Sequence, residues 1–199
     1  MSIKRDLEFL YEIGTLRNIQ RAWVQMLGSN VANLAEHHFR VVWLALILAK
    51  GEKVSNTEKI MKMALVHDIV ESRTGDVHYI SRQYTIRDEK LAISDMVKDT
   101  SMVEFEKLWE EYESKKSIEA KIVKDADNLD VDLELMEQEW QGNKIRKEFR
   151  DHRSLAVYKA FFTETARKLW QEIQKSNPHD WHLKGRNRFN AGDWKKYKK

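Results

Sequence analysis

Between Ser117 and Gln141 the chain has no glycine or proline, and an apolar side chain recurs every three or four positions: Ile118, Ile122, Ala126, Leu129, Leu133, Met136 and Trp140. Only an α-helix lines up residues at that spacing, so this stretch reads as a long helix with one buried stripe. The remainder has the same character. Seven Gly and one Pro in 199 residues are too few to turn an all-β fold. No internal repeat and no convincing strand pattern is visible, so the expected fold class is all-α, a single helical bundle.

Local signals divide the chain further. Residues 6–13 form an amphipathic segment stopping at Gly14, and a less regular piece follows, closing at Gly28. Asn33 and Glu36 have capping-box spacing and open a helix that runs through Lys50 to Gly51. Ser55 or Asn56 caps a helix expected to reach about Thr74, with Gly75 as its stop. Later helical patterns cover roughly 88–99, 102–115, 117–141 and 154–175, the last ending before Asn177-Pro178. The division expected from this is a helical body over 1–176 and a tail over 177–199.

Several function classes drop out. There is no Cys, which excludes disulfides, thiolate metal sites and a Cys nucleophile. MSIKRDLEFL lacks the apolar run of a signal peptide, and VVWLALILA at 41–49 is too short to span a bilayer. A cytoplasmic protein without a membrane partner is therefore expected. The net charge is +3, but residues 179–199 hold seven Lys or Arg against two Asp, a local +5, so the body is slightly acidic. The tail intersperses Trp181, Phe189, Trp194 and Tyr197 with Lys and Arg. That mixture can stack bases and hold phosphates, but it is more often a solvated end, so nucleic-acid binding is the lesser reading.

The informative residues are charges where apolar ones belong. Beside the main stripe of the 117–141 helix runs a second line, Ala120, Val123, Asp127, Val131 and Leu135, which puts Asp127 inside a wide apolar arc. Its neighbours Asp125 and Asp130 are expected to point to water. His37 lies above Val41, Leu44 and Leu48, on the core side of its helix, and His38 looks toward Val42, Ala45 and Ala49. In ALVHDIVESRTGDV, His67 continues the line of Ile60, Met63 and Ala64 and meets Glu71 one turn later. Asp68 is turned about 100° from His67 on a regular helix, so both reach one ion only if it sits between them. Burying an ionised carboxylate or an unpaired imidazole costs several kcal/mol without a partner. Two imidazoles and two carboxylates suit a divalent transition metal, and a single ion would relieve the burial of His37, His67, Asp68 and Asp127 together.

This set resembles the H…HD…D signature of the HD-domain metal-dependent phosphohydrolases, and within them the small 5′-deoxynucleotidases. The matching pieces are Arg21 and Trp23, NLAEHH at 33–38, HDIVESRTGDV at 67–77 and VKDADNLD at 123–130. The resemblance implies a helical bundle of the HD-domain type, a homodimer, and release of phosphate from nucleoside 5′-monophosphates. It implies one divalent ion (cobalt, manganese, nickel, zinc or similar) held by His37, His67, Asp68 and Asp127. Glu71 becomes the acid/base, Arg21 the phosphate-binding cation, Asp76 a contact to the sugar hydroxyl, and Trp23 a wall against the sugar that discriminates against a 2′-hydroxyl. The chain departs from close relatives in three places: Ala22 separates Arg21 from Trp23, Ala35 replaces a small hydroxyl residue, and Val77-His78 replaces a proline-containing loop. The chemistry expected is attack on phosphorus by a water whose pKa the metal lowers. Other HD-type phosphohydrolases, acting on cyclic nucleotides or alarmones, are the alternative. The alarmone enzymes usually carry Glu-Asp after the HD pair, where this chain has Glu71-Ser72.

Overall fold

The computed structural model describes residues 2–28 and 30–184. Its helices, in chain order, are α1 (Ile3–Gly14), α2 (Val24–Leu27), α3 (Leu34–Gly51), α4 (Thr57–Val66), α5 (Glu71–Thr74) and α6 (Glu89–Val97). They continue with α7 (Phe105–Ser114), α8 (Ile118–Trp140), α9 (Ile145–His152), α10 (Tyr158–Ala160), α11 (Glu164–Ile173) and α12 (Asp180–Leu183). Among the described residues there is no strand, only an isolated bridge between Gln20 and Asn33. The all-α expectation holds. So does the capping box of α3: the Asn33 side chain accepts from the Glu36 N–H, and the Glu36 carboxylate accepts from the Asn33 N–H at 2.9 Å.

α3, α4 and α8 pack on one another at the centre, with α7 and α11 against them. Their shared core joins Val41, Leu44, Ala45 and Leu48 of α3, Ile60, Met63 and Ala64 of α4, and Ile122, Ala126 and Leu129 of α8. A second core gathers Leu16, Leu34, Val66, Ile69, Val70, Ile93, Met96 and Trp109. The chain passes from the first core to the second between Ala64 and Val66, immediately before the His67-Asp68 pair.

Two expected helices are interrupted, each for a visible reason. The helix expected to reach Thr74 stops at Val66, residues 67–70 form turns, and α5 follows. Over this stretch Ile69, Glu71, Ser72 and Arg73 bond to carbonyls three residues back, the tighter 3₁₀ pattern. The helix expected over 154–175 is replaced by a π turn at Arg153–Val157, the short α10, and a break before α11. That break is built by Asp125. One of its carboxylate oxygens accepts from the Phe162 N–H at 3.0 Å, and the other from the Thr163 N–H at 2.8 Å and the Thr163 hydroxyl at 2.7 Å. The expectation that Asp125 points to water is therefore wrong; it is fully buried and anchors α11 to α8. The tail expected from residue 177 contains α12, and His179, just before that helix, packs edge-on against Trp140. Phe189, Trp194 and Tyr197 lie outside the described residues.

Candidate metal centre and substrate cavity

The four residues singled out by their burial come together. One ligand atom from each of His37, His67, Asp68 and Asp127 lies within 4.8 Å of the others. His67 Nε2 is 3.3 Å from both His37 Nε2 and Asp68 Oδ2, and His37 Nε2 is 3.4 Å from Asp127 Oδ1 and 3.8 Å from Asp68 Oδ2. Donors about 3–4 Å apart are what an ion with bonds near 2.1 Å gathers around itself.

The far nitrogens of the two rings test whether a cation fits. His67 Nδ1 lies 2.8 Å from the Ala64 carbonyl, which can only accept, so the proton is on Nδ1. His37 Nδ1 donates at 2.6 Å to Asp130, whose carboxylate is also paired with Arg40. With the protons on these outer nitrogens, each ring in its neutral form turns the lone pair of Nε2 inward, toward the other ring and toward two carboxylates. Lone pairs facing at 3.3 Å repel unless positive charge sits among them. The donor set fits a divalent cation, and a proton on one of the inward nitrogens would be a poorer substitute.

Asp130 is the second misread residue on α8. Expected at the surface, it is buried because it faces α3, where it accepts from His37 and Arg40. Arg40 in turn reaches Glu137 at 2.8 Å and Glu134 at 3.3 Å. Lys124, one turn before Asp127, donates to its outer oxygen at 2.7 Å. Burial pushes the Asp127 carboxyl up, but the charge of Lys124 outweighs it and holds it well below the usual carboxylate range. His38 is buried, its ring 4.6 Å from that of His67, and its Nε2 has no hydrogen-bond partner.

Beside the cluster opens a cavity of about 460 Å³, lined by His67, Asp68 and Asp127 and by the other sequence candidates Arg21, Trp23, Glu71 and Asp76. Arg21 and Trp23 both face it although Ala22 stands between them, because residues 22 and 23 form a turn leading into α2. Arg21 Nη1 is 3.6 Å from Asp68 Oδ2, and Arg21 Nε is 3.5 Å from Asp76 Oδ2. The same Asp76 oxygen accepts from the Ala22 N–H at 3.0 Å. Gly75, at φ +72°, ends α5 in a backbone region that strains other residues and turns Asp76 back toward this loop. Trp23 stands edge-on to Phe149 at 5.5 Å.

Glu71 is buried, and its Oε2 has no hydrogen-bond partner. Its other oxygen is 3.6 Å from Arg87. Burial, reinforced by the charges of Asp68 and Asp76, pushes its carboxyl up to about 10. An acid that keeps its proton beside a cluster of anions is placed to deliver that proton.

The comparisons with known proteins agree with this geometry. The chain matches the HD domain family over residues 13–170. It is 35% identical over 141 residues to the 5′-deoxynucleotidase HDDC2 of Danio rerio, covering 67% of this chain and 69% of that one. It is 30% identical over 183 residues to the 5′-deoxynucleotidase HDDC2 of Dictyostelium discoideum, covering 85% and 93%. A conserved hypothetical protein from Pyrococcus furiosus superposes with a TM-score of 0.71 at 27% identity, over 85% of this chain and 99% of that chain. With the H…HD…D set gathered in one place on an all-α bundle, the chain belongs to the HD-domain family of metal-dependent phosphohydrolases.

Proposed function

We propose that this protein is a metal-dependent 5′-nucleotidase that releases phosphate from deoxynucleoside and nucleoside 5′-monophosphates. One observation carries the reading: two imidazoles and two carboxylates converge beside a cavity that also presents a guanidinium and a protonation-ready carboxyl. The 5′-deoxynucleotidases at 30–35% identity support the substrate class.

His37, His67, Asp68 and Asp127 would hold the ion. A divalent metal there supplies water activation at neutral pH and neutralises phosphoryl charge. Cobalt, manganese, nickel and zinc all suit a mixed imidazole and carboxylate set. The protein side chains do the rest. Arg21 offers planar donors to the phosphate, and Asp76 holds its Nε so that the Nη groups face the cavity. Glu71 gives its proton to the departing 5′-oxygen, which lets the alkoxide leave as an alcohol. Trp23 packs against the sugar, fixed by Phe149, and opposes a 2′-hydroxyl on that face; Asp76 takes the sugar hydroxyl. The helical body over 1–176, the tail over 177–199 and a cytoplasmic setting are parts of this same reading.

The test is phosphate release from a panel of ribo- and deoxyribonucleoside 5′-monophosphates with added cobalt or manganese. Release that a chelator stops, with deoxynucleotides ahead, is the expected result. Inertness toward every monophosphate, with turnover of a cyclic dinucleotide or alarmone, would overturn it.

A further inference from the structure

Arg153, on the cavity wall, has no part in the chemistry above. It lines the cavity although it is only 7% exposed. Its guanidinium is fixed on α8: Nε donates to Asp132 Oδ1 at 3.1 Å, and Nη2 donates to Asp132 Oδ2 at 2.5 Å and to the Asn128 carbonyl at 2.7 Å. Nη1 makes no hydrogen bond among the described residues and is not sealed from solvent. A guanidinium pinned through two nitrogens, with the third open, is a donor already held in place. The paired Asp132 carboxylate offsets its charge, so the open nitrogen suits a neutral acceptor better than a second phosphate.

Its position fits one part of a nucleotide. Asn128 and Asp132 flank Val131, which lines the cavity one turn of α8 beyond Asp127, about 6 Å along the axis. Trp23 packs on the small core that contains Val131. Arg153 also follows Phe149 by four residues, on the same helical face, and Phe149 packs on Trp23. From the candidate metal ligands the wall therefore runs through Trp23, where the sugar is placed, to Arg153. A nucleoside 5′-monophosphate has the same order of phosphate, sugar and base. A π turn begins at Arg153, and such turns recur at functional sites.

We infer that Arg153 is a specificity residue that donates through Nη1 to an acceptor on the nucleobase. Every base carries a ring nitrogen or carbonyl that accepts, so the contact rewards the presence of a base more than its identity. Arg153 thereby separates nucleotides from base-free sugar phosphates. The inference rests on the nucleotidase reading, because the order of groups along the wall starts from phosphate at the metal centre.

Phosphate release, with added cobalt or manganese, from the four deoxynucleoside 5′-monophosphates and from 2-deoxyribose 5-phosphate tests it. Arg153→Lys keeps a cation for Asp132 but loses the open donor. Its kcat/KM should fall about tenfold for all four nucleotides and stay within about twofold of wild type for the sugar phosphate. Turnover of the sugar phosphate also reports that the variant is folded. Should Arg153→Lys not fold, Asp132→Asn keeps the guanidinium but loosens it, and should lower the same nucleotide-to-sugar-phosphate ratio about threefold. Equal losses on both kinds of substrate, or no loss on nucleotides, would overturn the inference and leave the nucleotidase reading intact. A wild type inert toward all five would overturn that reading, and this inference with it.

Discussion

Replacing Asp130 with Asn changes no ligand of the candidate metal centre and almost no volume, yet the structure predicts a large loss of metal affinity. Asp130 accepts from His37 Nδ1 at 2.6 Å and pairs with Arg40, which keeps it ionised and keeps the His37 proton on the outer nitrogen. An amide in its place offers a weaker acceptor, or turns its NH₂ toward the ring and favours the tautomer whose inner nitrogen carries the proton. Losing such a partner typically costs 10–100-fold in affinity, about 1.4–2.7 kcal/mol. Folding should suffer less than for a fully orphaned charge, because Arg40 keeps Glu137 at 2.8 Å and Glu134 at 3.3 Å; about 2 kcal/mol is expected. Cobalt titration against a competing chelator, followed by the visible absorption of the bound ion, measures the affinity. Urea unfolding of the metal-free protein measures the stability. A variant that loses stability but binds cobalt within about twofold of wild type would refute the reasoning, since Asp130 would then serve the fold and not the histidine.

Three further outcomes are expected. Asp68→Ala should lose both metal and turnover, whereas Glu71→Ala should keep the metal and lose about 10²–10⁴ in kcat; metal analysis beside phosphate-release kinetics separates the two. In the metal-free protein the folded Glu71 carboxyl keeps a proton that the unfolded one has lost, so stability falls as pH rises from its ordinary 4.5 through about 10. The slope is at most about 1.4 kcal/mol per pH unit, and Glu71→Gln should flatten it between about pH 7.5 and 9.5, read by denaturation midpoints; an unchanged slope would place the raised carboxyl elsewhere. Asp125→Ala removes the acceptor of three hydrogen bonds that fix the start of α11, and should cost about 2–4 kcal/mol in urea unfolding while leaving metal affinity alone.

The sequence made Asp127 conspicuous because one charge interrupts an apolar arc, and the same argument found His37, His67 and Asp68. Asp125 and Asp130 stood beside it on the same helix and were misread. A single helix shows how wide its apolar arc is, but not that α8 is enclosed on nearly every side by α3 and α11. The groups that make those two carboxylates tolerable, Arg40 and the Phe162 and Thr163 backbone, sit on other elements far along the chain. Lys124 was closer to being legible, since it precedes Asp127 by three residues and pairs with it along one face. The break at residues 67–70 left no trace because a tight 3₁₀ turn preserves the run of apolar spacings on which a helix is recognised. Arg21, Trp23 and Asp76 came only from the family resemblance. What brings them to one cavity is a loop geometry, anchored by the Ala22 N–H on Asp76, that no periodicity encodes.

The account rests on one divalent ion drawing side chains from α3, the turn after α4, and α8 to a common point. Anomalous diffraction from crystals grown with excess manganese or cobalt tests this most directly. It should give a single strong peak about 2.0–2.3 Å from His37 Nε2, His67 Nε2 and one oxygen each of Asp68 and Asp127. A peak held by other residues, or none among these four, would contradict it.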